Sequence, residues 1–285
     1  MKLLSKNAKL EKTHPSLNYS ASGVSLAPAN QAGVGNVCPD ASEGCKAACL
    51  FTAGRAAIWT AINEARIAKT QFFFADTQGF MAQLVKEIAS YQRACNKKGI
   101  HPAIRLNTIS DLAWEKITIG KTKKNIFETF PTIQFYDYTK SLRRALKQAS
   151  QDKIASNYDL TFSLSESNKK SALKVLAAGG NVAAVFFKFN LSDTWEGYNL
   201  INGDLHDLRF VDEKGGKVVA LKAKGEARID KTGFVITLPR YEKEQGEILA
   251  KSLAKKLAAA KGKLASMEAA KRDAESVVRA LELSC

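Results

Sequence analysis

Residues 167–187 read "SNKKSALKVLAAGGNVAAVFF". Ser167 or Asn168 is placed to cap a helix, Leu173, Val175 and Leu176 supply its buried side, and Gly179 with Gly180 stops it. An unbroken apolar run follows, as a strand buried on both faces requires. The unit is therefore helix, tight turn, buried strand. The same kind of strand recurs at "PAIRLNTIS" (102–110), "PTIQFYDYT" (131–139) and "YDLTFSL" (158–164), each separated from the next by helix-like sequence. Strands joined this way run parallel and need crossover helices. The fold class expected is α/β, a parallel sheet forming a partial or complete β/α barrel.

Upstream, "GRAAIWTAINEARIAKTQFFFA" predicts a helix from Arg55 to about Phe74. The segment "TQGFMAQLVKEIASYQRACNKKG" places Met81, Leu84, Ile88, Tyr91 and Cys95 on one face and closes on Gly99, so Cys95 reads as a packed core residue. Between Leu191 and Arg240 polar turns and short antiparallel strands around "KGGK" (214–217) suggest a small appended β segment. The last stretch is rich in Ala, Lys and Leu. Leu253, Leu257, Ala260, Leu264, Met267, Lys271, Ala274, Val278 and Leu281 recur there at steps of four and three, the rhythm of an amphipathic docking or dimerising helix. Three regions follow: a barrel-like domain over 1–190, the appended segment over 191–240, and a basic C-terminal helix over 241–285.

The chemistry concentrates in "VGNVCPDASEGCKAACLFTAGRA", residues 34–56, where Cys38, Cys45 and Cys49 stand in the pattern C-x(6)-C-x(3)-C. No apolar leader or membrane-length run is present, which points to the cytoplasm, and there an odd set of five cysteines does not make a disulfide framework. Clustered thiols in that setting suggest a metal. A structural zinc needs a fourth ligand, and His14, His101 or Cys95 could supply it only from far along the chain. An iron–sulfur cluster on three thiolates needs none and leaves one iron open. Three unliganded thiols are the third possibility.

The segments "CPDASEGCKAACLFTAGR", "AIRLNTISDLAWE", "TIQFYDYTKS", "LTFSLSESN" and "INGDLHDLRF" together resemble a phage and prophage family, the gene product eighty-eight type. The resemblance implies a phage or mobile-element origin, hence the host cytoplasm, and a three-cysteine, barrel-like scaffold similar to radical S-adenosylmethionine proteins. In such proteins the open iron of a [4Fe-4S] cluster binds S-adenosylmethionine. This chain departs from their usual C-x(3)-C-x(2)-C loop, has Ala48 where an aromatic precedes the last cysteine, and has no Gly-Gly-Glu-Pro-like strand.

On a barrel, functional groups gather at the C-terminal strand ends. Those ends carry Asn107, Ser110 and Asp111; Tyr136, Asp137, Tyr138 and Lys140; Ser163, Ser165 and Glu166; and Lys188. Asn107, Ser110, Asp111, Tyr136 and Lys140 form the candidate set for S-adenosylmethionine; as caps of following helices they would be structural. Arg105 and Lys140 must meet an anion if buried, with Asp111, Asp137 and Glu166 as candidate partners. Asp204, His206 and Asp207 stand close enough in sequence for a metal or an acid–base pair, or simply for a polar turn.

The formal net charge of +15, from 43 Lys and Arg against 28 Asp and Glu, attracts polyanions or serves solubility. Nucleic acid is one expected partner, and a host protein or a second copy on the C-terminal helix is another. No P-loop, G-x-G-x-x-G, H-E-x-x-H or G-x-S-x-G motif occurs, which disfavours the chemistries those motifs carry. Two readings stand: an iron–sulfur protein of radical S-adenosylmethionine type, and a nucleic-acid-binding protein with a structural metal in the cysteine loop.

Overall fold

The structure, a computed structural model, describes residues 1–12, 15–49, 51, 58–150 and 152–282. Its first compact unit spans Met1–Ile236 and its second Thr237–Cys285. The first is built on a sheet of ten strands among the described residues. β1 (Leu4–Ser5) pairs antiparallel with β2 (Tyr19–Val24) at one edge. Then β2, β3 (His101–Arg105), β4 (Gln134–Thr139), β5 (Tyr158–Ser163) and β6 (Val182–Phe186) lie side by side in chain order, all parallel.

Their connections are helical: α1 (Glu43–Ala47), α2 (Thr60–Ala75) and α3 (Thr77–Asn96) before β3, α4 (Ile126–Thr129) before β4, α5 (Leu142–Ala149) before β5 and α6 (Lys169–Ala177) before β6. Parallel neighbours taken in chain order, each joined by a crossover of the usual hand, stack their helices on one face. The core follows that rule. Phe80, Met81, Leu84 and Ile88 of α3 and Ile126 and Phe127 of α4 pack on Ile104, Phe135, Tyr158 and Leu160 of the strands. On the opposite face Ala21, Ala103 and Tyr136 meet Leu10 and Leu208.

The α/β class and the parallel sheet are thus as the sequence predicts. Closure into a complete barrel is not: the sheet's path ends at β1 and at β7 (Thr194–Trp195), which do not pair. The chain-order progression breaks after β6, whose next neighbour is β9 (Val218–Lys222), followed by β8 (Tyr198–Asn202) and then β7. The expected appended segment of antiparallel strands around 214–217 is also corrected. β9 pairs with β6 in parallel from Val182↔Val218 to Phe186↔Lys222, and β8 pairs with β9 in parallel, so both extend the main sheet. Gly215 and Gly216, at φ 97° and 78°, turn the chain into β9 instead of joining a hairpin, and a Cβ on Gly216 would stand 2.6 Å from the Leu176 carbonyl oxygen. The antiparallel pair in this region is β7–β8, whose two-residue turn, Glu196–Gly197, has φ of 51° and 82°, as a type I′ hairpin demands.

β5 and β6 part at their C-terminal ends. They pair only at Phe162↔Val182 and Ser163↔Ala183, while β10 (Val235–Ile236) pairs with Val185 and Phe186 of β6. Because β9 occupies the far edge of β6 throughout, β10 takes the edge that β5 has left. The segment ending in β10 therefore fills a split in the sheet.

α3 matches its predicted pattern, with Met81, Leu84, Ile88 and Cys95 buried and Asp76 accepting from the Gly79 amide at 2.8 Å. α2 begins at Thr60, after Trp59 in extended conformation, and Arg55 of the predicted start lies outside the described residues. The second unit holds the predicted long helix, α7 (Glu242–Glu282), with Leu253, Leu257, Leu264 and Met267 of the heptad stripe exposed. No helix among the described residues is long and apolar enough to cross a membrane.

Every buried apolar side chain among the described residues lies at or before Val235. A chain ending at Arg240 is therefore expected to unfold cooperatively with a midpoint within a few degrees of the full chain, since exposed segments contribute little to stability. Calorimetry checks this; a broad or absent transition would show that the first unit depends on the second.

Candidate functional site

The cysteine loop is fixed over the C-terminal strand ends by hydrogen bonds from far along the chain. Cys38 has its amide on Asn36 Oδ1 at 2.7 Å and its thiol on the Ile109 carbonyl at 3.5 Å, while the Asp111 amide donates to the Val37 carbonyl at 2.8 Å. The first cysteine is thus tied to the loop leaving β3. Ser42 caps α1 through Oγ, which accepts from the Cys45 amide at 3.2 Å and donates to Glu166 Oε2 at 2.8 Å. Glu166 Oε1 accepts the Gly44 amide, also at 2.8 Å. A carboxylate just past β5 therefore seats the N-terminus of α1, where negative charge is favoured. A Cβ at position 44 would stand 2.7 Å from Glu166 Oε2, so only glycine fits against the clamp.

The three thiols lie close enough to perturb one another. Burial raises the Cys38 thiol to about 11, with charge on Cys49, Cys45 and Asp111 adding to it. Burial likewise raises Cys45, opposed by Lys140 and reinforced by Glu166, and raises Cys49, opposed by its hydrogen bond to the Phe51 backbone and by Arg66 of α2. At neutral pH the site therefore holds protons, which a thiolate-binding metal would have to displace. Among the described residues no three His, Cys, Asp or Glu side chains stand at metal-holding spacing, so the loop would have to draw in around an ion.

Lys140, just past β4, faces this group. Its ammonium donates to Ser163 Oγ at 2.9 Å and to the Ser163 and Leu164 carbonyls at 3.3 Å, and sits 5.5 Å over the Phe234 ring. Burial lowers its pKa, and the nearby Cys45, Asp111 and Glu166 hold it up.

The other expected ligand-binding residues have hydrogen-bond partners within the protein. Asn107 Oδ1 accepts from Ser110 Oγ, the Leu112 amide and Trp114 Nε1 at 2.8, 2.9 and 3.0 Å. Asp111 bonds Arg144 Nη1 at 2.8 Å, the Lys140 amide at 2.7 Å and Thr139 Oγ1 at 3.2 Å. Arg144 forks onto Glu115 at 2.8 and 2.9 Å and reaches Tyr158 OH, which donates to Asp137. Tyr136 does not join them. Alternation along β4 sends it to the opposite face, where its hydroxyl donates to Asp207 Oδ2 at 3.2 Å. Of the five residues Asn107, Ser110, Asp111, Tyr136 and Lys140, Lys140 is the one turned to the thiols.

Arg105 likewise points to that opposite face and pairs with Asp207 at 3.0 Å, a partner 102 residues away and none of the three expected. Asp204, His206 and Asp207 do not converge: Asp204 pairs with Lys224, Asp207 turns into the sheet, and His206 stands 3.9 Å from Asp212. Sequence reading missed Arg209, whose side chain is wholly buried beside Asp212. The signal available for it was the apolar pair Leu208 and Phe210 around a charge. Among possible fourth ligands, His101 opens β3 and Cys95 lies in the last turn of α3, both at the N-terminal end of the strands, while His14 lies outside the described residues. Ser165 bonds Asn168 through its amide at 2.7 Å, and Lys188 is exposed.

A family profile described as Gene product 88 matches residues 1–238. The chain belongs to the gene product 88 family. The match covers the whole α/β unit, including the cysteine loop and every strand, and stops where the second unit begins. No curated protein and no solved structure matches the chain.

In this gene product 88 member the wholly buried Asp137 carboxyl ties the β3 loop to β4, accepting from the Asn107 amide at 2.7 Å. Burial raises its pKa from 3.8 to about 7, against the pull of Asn107 and Arg105. The folded chain thus binds this proton more tightly than the unfolded chain, and the resulting stability is full below the unfolded value and lost as pH rises through about 7. Urea midpoints of the native chain should fall between about pH 4 and pH 8, and Asp137→Asn should flatten that decline. An unchanged slope in the variant would assign the dependence elsewhere.

Proposed function

We propose that Cys38, Cys45 and Cys49 hold an iron–sulfur centre over the C-terminal ends of β3 to β5. The observation that carries this reading is that Cys38, Cys45 and Cys49 lie near enough to act on one another, with Cys38 and Cys45 near Lys140, a half-buried ammonium that, among the described residues, hydrogen-bonds only to neutral oxygens. A largely desolvated cation is favoured by negative charge beside it, and a thiolate cluster would add to that of Asp111 and Glu166. Arg66 offers the same complement at Cys49. A [4Fe-4S] cluster held by three thiolates brings one-electron chemistry and an open iron. The chain's own contributions are the Glu166 clamp that positions α1, release of the thiol protons on loading, and charge neutralisation by Lys140. The chain-order run β2 to β6 supports a partial-barrel setting for such a centre. S-adenosylmethionine is not part of the reading, because Asn107, Ser110 and Asp111 bond one another's surroundings and Tyr136 faces away.

Protein purified without oxygen should carry about four iron and four sulfide per chain. Cys38→Ala, Cys45→Ala and Cys49→Ala should each lose it, Lys140→Met should lower loading, and Cys95→Ala should retain it. One zinc without sulfide after anaerobic reconstitution would overturn the proposal.

A second reading concerns α7, which carries Lys251, Lys255, Lys256, Lys261 and Lys263 with no acidic residue between Glu247 and Glu268. We infer that this stretch binds nucleic acid through phosphates. Affinity for a generic duplex should fall by orders of magnitude between about 50 and 200 mM salt if roughly six phosphates are contacted, and changing these lysines to Gln should weaken binding and flatten the salt slope. Absence of binding at low salt would remove the reading.

A further inference from the structure

The sheet face turned away from the helices holds a charged cluster that the thiol site does not use. Arg105, the last residue of β3, donates through Nη1 to both oxygens of Asp207 at 3.1 and 3.0 Å and through Nη2 to the Thr108 carbonyl at 3.3 Å. Its guanidinium lies 4.6 Å from the centroid of the Tyr138 ring on β4. Lys9 sits over the same ring at 5.0 Å and pairs with Asp207 Oδ1 at 3.2 Å. Arg209, whose side chain is 0% exposed, completes the cluster from the segment after β8. Its Nη2 donates to the His206 carbonyl, and its Nε faces Asp212 Oδ2 at 3.3 Å.

Three donors here reach nothing. Arg105 Nε, Arg209 Nη1 and the Tyr138 hydroxyl are buried without a hydrogen-bond partner among the described residues. Arg209 Nε and Asp212 Oδ2 also lack ideal hydrogen-bond geometry, but as an ion pair they answer each other. Native proteins rarely leave buried donors unpaired, and these three come from three separate segments. Around them Lys9, Arg105 and Arg209 pair with Asp207 and Asp212, and His206 Nδ1 faces Arg209 Nη2 at 3.4 Å. Two of the three unpartnered atoms belong to guanidinium groups, which only donate, so the group that answers them best is a negatively charged acceptor.

We propose that Arg105, Tyr138 and Arg209 form an oxyanion subsite, taking a phosphate or carboxylate group of a solute, with the one-third-exposed Lys9 at its mouth. It lies at the C-terminal ends of β3 and β4, where parallel sheets take their ligands. Arginine guanidinium and a phenol hydroxyl suit the planar oxygens of such a group. The proposal is independent of the thiol centre and stands whether or not a metal loads there.

The test is thermal unfolding of the full chain in inorganic phosphate, and separately in acetate, against sodium chloride at matched ionic strength. The native chain should gain a saturable rise in midpoint in at least one arm, and the arm that responds names the group. Tyr138→Phe keeps the ring beneath Arg105 and Lys9 and removes only the unpaired hydroxyl. It should leave the midpoint in chloride intact and weaken the response about tenfold or more, the value of one charge-assisted hydrogen bond. Lys9→Gln, on a partly exposed side chain, should weaken it as well and carries the test if Tyr138→Phe does not fold. No response of the native chain in either arm would overturn the proposal. So would an equal response in both variants, which is the signature of general exclusion of salt from protein surface.

Discussion

The contact on which the site depends is the carboxylate of Glu166 against the first turn of α1. Its two oxygens take the Gly44 amide and the Ser42 hydroxyl, both at 2.8 Å. A helix of five residues has little stability of its own, because nucleation costs more than so few internal hydrogen bonds return. Tertiary contacts must therefore hold it. Glu166 does so from the end of β5, and the Asp111 amide, bonded to the Val37 carbonyl, does so from the loop after β3. Between these two anchors the chain carries Cys38, Cys45 and Cys49, near enough for charge on one to act on another.

The strand ends can serve as anchors because the sheet sorts its polar residues by face. On β4, Asp137 and Thr139 turn toward the helices and enter the Arg144 network, while Tyr136 turns the other way to Asp207. The helix side becomes a rigid support for the cysteine loop. The other side holds Lys9, Arg105 and Arg209 against Asp207 and Asp212. The parting of β5 and β6 adds room for the segment leading to β10, which brings Phe234 over Lys140.

Local patterns made much of this legible. The 167–187 unit announced helix and strand, the three- and four-residue steps announced α3, and the spacing of the thiols marked the loop. What failed was long-range. The run from Val218 to Leu221 reads as a buried strand in either direction, so the glycines at 215 and 216 suggested a hairpin where the chain enters a parallel strand. Polar residues at strand ends were recognised, but their partners were not. Glu166 meets Gly44 across 122 residues, and Arg144 meets Asp111 across 33. Whether a side chain binds a ligand or a neighbour depends on those partners. Asn107 and Asp111 read as ligand-binding, and no local pattern marks the neighbours they hydrogen-bond: Ser110 and Trp114 for one, Arg144 and Thr139 for the other.

The claim that Glu166 holds the thiols together is tested most directly by thiol alkylation rates in metal-free protein, followed residue by residue in the native chain and in Glu166→Ala. Loss of the clamp should speed alkylation of Cys45 by about tenfold or more, as release of a charged hydrogen bond allows local opening, with Cys38 and Cys49 following and Cys95 unchanged. Equal rates in the two chains, or a matching rise at Cys95, would contradict it.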